Sequence, residues 1–92
     1  MIVKVKFLPP LSRMVGRAEM DIELIDGSMK ELFDRLTAKE PRLKTTLFEE
    51  DGSLSLEYSC LLNQGPVPRE GLINTILKDG DQLTFLMPIA GG

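Results

Sequence analysis

The chain has 92 residues, 42 % of them apolar, with four Phe, one Tyr and no Trp, so it is read as a single domain over residues 1–92 with a core of Leu, Ile, Val and Met. Eleven Lys and Arg against fourteen Asp and Glu leave a net charge of −3, which argues against a surface that tracks phosphates, and no nucleic-acid partner is expected. There is no His and only one Cys, Cys60, so an intramolecular disulfide, a His-dependent catalytic triad and a His-containing or multi-cysteine metal site are excluded.

Val3, Val5 and Phe7 alternate with Lys4 and Lys6, the period of a half-buried strand, which is predicted over residues 2–8 and ended by Pro9 and Pro10. Leu11, Met14 and Val15 then sit in a helical turn closing at Gly16. From Ala18 the alternation returns, with Met20, Ile22 and Leu24 against Glu19, Asp21 and Glu23, giving a second strand antiparallel to the first. Asp26-Gly27 turns the chain. Ser28-Met29-Lys30-Glu31 then fits a capping box, and Met29, Leu32, Phe33 and Leu36 follow helical spacing, with Lys30, Asp34 and Arg35 on the wet side. Pro41 stops this helix near Lys39.

In residues 42–57, Leu43, Leu47, Phe48, Leu54 and Leu56 hold neither period for long, and Asp51-Gly52 marks a turn; the segment is read as a loop that can hold a short hairpin. Tyr58, Cys60 and Leu62 resume alternation in a third strand, ended by the turn-rich run Asn63-Gln64-Gly65-Pro66-Val67-Pro68. Leu72, Ile73, Ile76 and Leu77 suggest a short helical turn before Lys78-Asp79-Gly80-Asp81. Leu83, Phe85 and Met87 alternate with Gln82, Thr84 and Leu86 in a last strand. The predicted class is α+β, a sheet with one main helix packed across one face.

The longest charge-free runs, residues 58–68 and 82–92, fall far short of the roughly 20 apolar residues that span a bilayer, so no membrane association is expected. Lysines interrupt the apolar residues at the start, leaving no signal-peptide core, and with a lone thiol the expected location is the cytoplasm.

The chemistry is expected at the other end. Gly91-Gly92 follows the last strand almost directly, and a glycine carboxylate has no Cβ beside it while both residues accept any backbone angle. With Ile89 and Ala90, such a tail reaches about 13 Å beyond Pro88, far enough to thread a narrow channel in a partner. There the carboxylate can be activated as an acyl-adenylate and attacked by a nucleophile, with the partner supplying the catalysis. A flexible tail is therefore expected over about residues 88–92.

The closing run Leu77-Lys78-Asp79-Gly80-Asp81-Gln82-Leu83-Thr84-Phe85-Leu86-Met87-Pro88-Ile89-Ala90-Gly91-Gly92 resembles the ending of the MoaD/ThiS sulfur carriers, in particular the small subunit of molybdopterin synthase. Val5, Phe7 and Leu8, then Leu11, Met14, Val15 and Gly16, resemble the same family's first strand and connection. The resemblance implies a ubiquitin-like β-grasp fold, with first and last strands as parallel neighbours. It also implies that the Gly92 carboxylate is adenylated by an E1-like adenylyltransferase using ATP and converted to a thiocarboxylate, with no cofactor bound by the chain itself. In the molybdopterin branch, the tail inserts into the large subunit of the synthase, in a heterotetramer, and gives its sulfur to the pterin dithiolene. Lysines of the large subunit would do the acid–base and covalent work, leaving the small chain a non-catalytic, rechargeable co-substrate.

Leu86 lies opposite Leu83 and Phe85 on its strand and is expected, with Pro88, Ile89, Ala90 and Gly91, to contact the partner. Cys60 is read as a buried core thiol rather than a persulfide carrier, and the Glu49-Glu50-Asp51 cluster as a solvated turn rather than a metal site. Lys78 and Arg69 are read as solvent-facing charges. Three other readings stay open: a sulfur carrier for thiamine or tRNA thiolation, a ubiquitin-like modifier joined to lysine amines, and a plain binding module.

Overall fold

A computed structural model describes residues 1–88; the expected flexible tail, save Pro88, lies outside the described residues. Nine elements follow in chain order: β1 (Ile2–Phe7), α1 (Leu11–Val15), β2 (Glu19–Glu23), α2 (Met29–Lys39), α3 (Arg42–Leu47), β3 (Ser59–Leu62), β4 (Gly65–Pro66), α4 (Arg69–Leu72) and β5 (Gln82–Leu86). The strands form one mixed sheet in the order β2-β1-β5-β3-β4. β1 pairs antiparallel with β2, Val5 opposite Met20, and parallel with β5, Val5 opposite Leu83. β3 pairs antiparallel with β5, Cys60 opposite Phe85. This is the ubiquitin-like β-grasp arrangement expected from the resemblance.

Alternation decides which face is covered. Val3, Val5 and Phe7 of β1, Ile22 of β2, Cys60 of β3 and Leu83 and Phe85 of β5 are all at most 3 % exposed, and the apolar stripe of α2 (Met29, Leu32, Phe33, Leu36) closes over them. All four phenylalanines meet here: Phe85 lies 6.2 Å from Phe7 and from Phe33 and 6.4 Å from Phe48 between ring centroids, within the range of favourable aromatic pairs.

The capping box at the start of α2 forms in one half only. Ser28 Oγ accepts from the Glu31 N–H at 3.0 Å. The Glu31 carboxylate does not turn back to the Ser28 amide, which bonds Asp26 instead at 2.7 Å. It reaches further, accepting from the amides of Ile25, Asp26 and Gly27, and pairs with Arg35 at 2.9 Å. Gly27 is needed in this bend: its φ is +77°, and an added Cβ would stand 2.9 Å from the Met1 side chain and 3.1 Å from the Leu77 carbonyl.

Residues 42–57 depart from the expected loop. Pro41 ends α2 and also occupies the N-cap position of α3, with φ −57° already helical, and Leu43 and Leu47, one turn apart, are both buried. Two apolar residues in six carry too little periodicity to be seen in sequence. The expected hairpin is present beyond it, as a bridge between Phe48 and Leu54 around Asp51-Gly52. The helical turn expected around residues 72–77 lies earlier, as α4, and leaves Ile73 and Ile76 exposed. The first strand ends at Phe7 rather than Leu8.

Candidate functional site at the end of the central strand

β5 sits between β1 and β3, so its register fixes where the chain leaves the sheet. The turn before it sets that register. Asp79 accepts the Ile2 amide at 2.8 Å and Gly80 donates to the Ile2 carbonyl at 2.8 Å. One Asp81 oxygen takes the Lys78 amide at 2.8 Å, the other the Asn63 side-chain amide at 2.9 Å, and the Asn63 oxygen accepts from Gln82 at 3.0 Å. The Lys78-Asp79-Gly80-Asp81 motif thus acts as a clamp joining β5 to β1 and to the β3–β4 turn.

Leu86 is half-buried on the sheet face away from α2, next to Ser59 in register. Leu8, whose amide bonds the Phe85 carbonyl at 3.1 Å, follows the register of β1 and is 40 % exposed. Leu61, half-buried, stands opposite Thr84, which Lys6 flanks on the other side. Leu8, Leu61 and Leu86 therefore make an apolar strip on the outer face, continued at the strand end by exposed Met87 and Pro88. Met87 does not point inward as the alternation predicts: β5 ends at Leu86, and Met87 is 38 % exposed. Leu8 and Leu61 were not singled out from sequence, although Leu61 interrupts an alternation in which its place should be polar. Ile89, Ala90, Gly91 and Gly92, named as contact and carrier residues, lie outside the described residues.

The remaining candidates separate clearly. Cys60 is 3 % exposed on the inner face, and burial pushes its thiol up to about 12 while the Arg69 charge pulls weakly the other way. Asp51 is held below the usual carboxylate range by the Ser53 hydroxyl and backbone amide, and no group of three or more acidic, Cys or His residues among the described residues is placed to hold a metal. Lys78 is exposed as expected. Arg69 is exposed as expected but also anchored: its guanidinium donates to the Leu54 carbonyl at 3.0 Å and to the Tyr58 carbonyl, tying α4 to the segment before β3. Among the described residues, no helix is long and apolar enough to cross a membrane.

A β-grasp sheet whose central last strand precedes a Gly-Gly sequence is the arrangement of the ubiquitin-like sulfur carriers and modifiers, the class to which the family match assigns the chain. The chain belongs to the ThiS family, whose model matches residues 5–92. Three solved structures are similar to it. Small archaeal modifier protein 1 of Methanosarcina acetivorans is 29 % identical, with 99 % of this chain and 96 % of that one covered and a TM-score of 0.81. A chain of the Amycolatopsis orientalis BexX/CysO complex is 28 % identical, with 98 % and 99 % covered and a TM-score of 0.73. A chain of the complex between subunits 1 and 2 of molybdopterin-converting factor from Helicobacter pylori is 27 % identical, with each chain covered in full and a TM-score of 0.66. No curated protein matches the sequence.

Proposed function

We propose that this chain is a sulfur carrier of the molybdopterin-synthase small-subunit type, working in the cytoplasm and carrying its sulfur on Gly92. In the first step a Gly92 carboxylate oxygen attacks the α-phosphorus of ATP in an E1-like adenylyltransferase, and pyrophosphate leaves. A sulfur nucleophile then displaces AMP, and the thiocarboxylate enters the large synthase subunit, whose groups handle the protons while the sulfur passes to the pterin. The chain's own part is to start the tail, at the end of β5, beside a docking face. The observation that supports this most is the geometry of β5: the clamp at Asp79 and Asp81 fixes its register, and its free end emerges beside Leu8, Leu61 and Leu86. The family match that extends through residue 92 agrees with a role for the terminal residues.

Incubating the full chain with ATP, the activating enzyme and a sulfur source should give a mass gain equal to one oxygen exchanged for one sulfur, located in the C-terminal peptide. Deleting Gly92 shortens the reach by about 3.3 Å and should abolish sulfur transfer while leaving the fold intact. A folded deletion variant that still transfers sulfur, or sulfur found only on an internal residue, would refute the carrier reading. The likeness to an archaeal modifier protein supports a second reading, in which the activated glycine is joined to a lysine amine. Isopeptide conjugates of Gly92 on other proteins, without sulfur transfer to a pterin, would select it.

A further inference from the structure

The helix layer holds a second concavity, on the side of the sheet away from Leu8, Leu61 and Leu86. It is a groove of about 590 Å³ between α2, the hairpin that follows α3, and α4. Phe33, Leu54 and Leu72 line it and are each at most 6 % exposed, while Leu56 and Ile73 beside them are 81 % and 44 % exposed. A buried apolar floor flanked by two protruding aliphatic side chains is the shape of a recognition groove rather than of a surface sealed by its own chain. Its walls are preformed. Arg69 fastens α4 to the carbonyls of Leu54 and Tyr58, and the hairpin is closed by the Glu49 amide on the Ser53 carbonyl at 2.8 Å and by the Ser53 hydroxyl on Asp51.

The charges at the rim are unequal. Lys30 is paired with Asp34 at 2.9 Å, and Arg69 directs its donors at two carbonyls. Glu49 and Asp51 enter none of the salt bridges found among the described residues, and with Lys30, Asp34 and Arg69 they give the lining three carboxylates against two cations, a net charge of −1 beside an apolar floor. Charge complementarity therefore asks the occupant for cations as well as apolar side chains. We propose that this groove docks an amphipathic basic peptide segment of a partner protein, with aliphatic side chains against Phe33, Leu54 and Leu56 and a Lys or Arg set against Glu49 and Asp51. The groove faces away from the strip beside the tail, so such a partner holds the domain while its terminus is engaged elsewhere.

The test is a titration of the isotopically labelled full chain with a synthetic helical peptide bearing Leu at every third or fourth position and Lys between, followed by amide resonances. A version with Glu in place of each Lys serves as the control. The Lys peptide should shift the amides of Phe33, Leu54 and Leu72. Leu56→Asp, at a position already exposed, and Glu49→Lys, which breaks none of the hairpin's hydrogen bonds, should each weaken binding at least tenfold without disturbing the rest of the spectrum. The Glu peptide should bind at least tenfold more weakly than the Lys peptide. Leu86→Glu should bind the Lys peptide as the natural chain does, which keeps this result separate from any failure of sulfur transfer. Equal binding of both peptides, shifts confined to the outer sheet face, no binding, or self-association of the chain that Leu56→Asp abolishes would each overturn the proposal.

Discussion

Cys60 and Glu31 show how differently two ionisable side chains can be held. The Cys60 thiol is pushed up to about 12 by burial, so almost none of it is thiolate near neutral pH, and thiolate is the nucleophilic form. Alkylation by iodoacetamide should be slow in the folded chain and fast in urea, and Cys60→Ala should keep full sulfur transfer at a stability loss of about 1 kcal/mol. A folded Cys60→Ala chain that no longer carries sulfur would return the thiol to the mechanism. Glu31 moves the other way. Desolvation of its carboxylate, 13 % exposed, acts to raise its pKa, but the amides of Ile25, Asp26 and Gly27 and the Arg35 guanidinium outweigh this and hold it at about 2 against an ordinary 4.5. A depressed pKa stabilises the folded chain above the unfolded value, and that contribution is lost as pH falls from about 4.5 through about 2. Glu31→Gln keeps an acceptor and removes the charge. Its deficit in denaturation midpoint against the natural chain should be constant well above pH 4.5 and shrink as pH falls through about 2; a deficit that does not change with pH would show that the charge plays no part.

Among the elements, the β3–β4 hairpin has a mismatch between its residues and its turn. Leu62 faces Gly65, so Asn63 and Gln64 are the two central turn residues, and both have positive φ, 50° and 73°. Such turns favour Asn then Gly, and a side chain at the second position carries about 1 kcal/mol of left-handed strain. Gln64→Gly should therefore raise the urea midpoint, and an unchanged or lower midpoint would mean that the entropy of the added glycine cancels the relief. What sequence reading found and missed follows the same physics. Strands with several inward apolar residues, such as Val3-Lys4-Val5-Lys6-Phe7, and α2 with its four-residue stripe were legible because the period repeats. α3 was missed because Leu43 and Leu47 alone cannot define a period, and because Pro41 reads as a stop although it also starts a helix. Leu86 was found from its outward register, but Leu8 and Leu61 join it only when β1 and β3 are laid against β5, and the groove above α2 needs three segments distant in sequence. The anchoring of exposed Arg69 is not legible in sequence, because its two carbonyl partners belong to a segment with no regular pattern.

For the molecule as a whole, the two faces of β5 should answer substitution in opposite ways. Phe85, fully buried among Phe7, Phe33 and Phe48, should lose about 3–5 kcal/mol on replacement by Ala, a large part of the roughly 5–15 kcal/mol that holds a small domain together. Leu86→Glu, one residue on, should leave the thermal midpoint nearly unchanged and weaken binding to the large subunit or the activating enzyme, because a docking face draws its energy from a few such apolar anchors. Unchanged affinity of the folded Leu86→Glu chain in a titration would remove the outer strip from the docking surface. Appending one residue after Gly92 should leave both stability and docking intact and stop sulfur transfer, which distinguishes a misplaced terminus from a lost surface.

The parallel pairing of β1 with β5 also orders events in time. Ile2 meets Asp79 across a sequence separation of 77, and without β5 the sheet is two unconnected pairs, β2 with β1 and β3 with β4. Closing so long a loop is among the slow steps of folding, so the central strand is expected to enter late, and its entry buries Phe85 and sets out Leu86 in the same movement. A newly made molecule thus has no assembled outer strip until its core is complete. On the proposed function, a partner that grips this strip before acting on the terminus would pass over immature copies without any separate inspection, and sulfur would be loaded only onto chains that have finished folding.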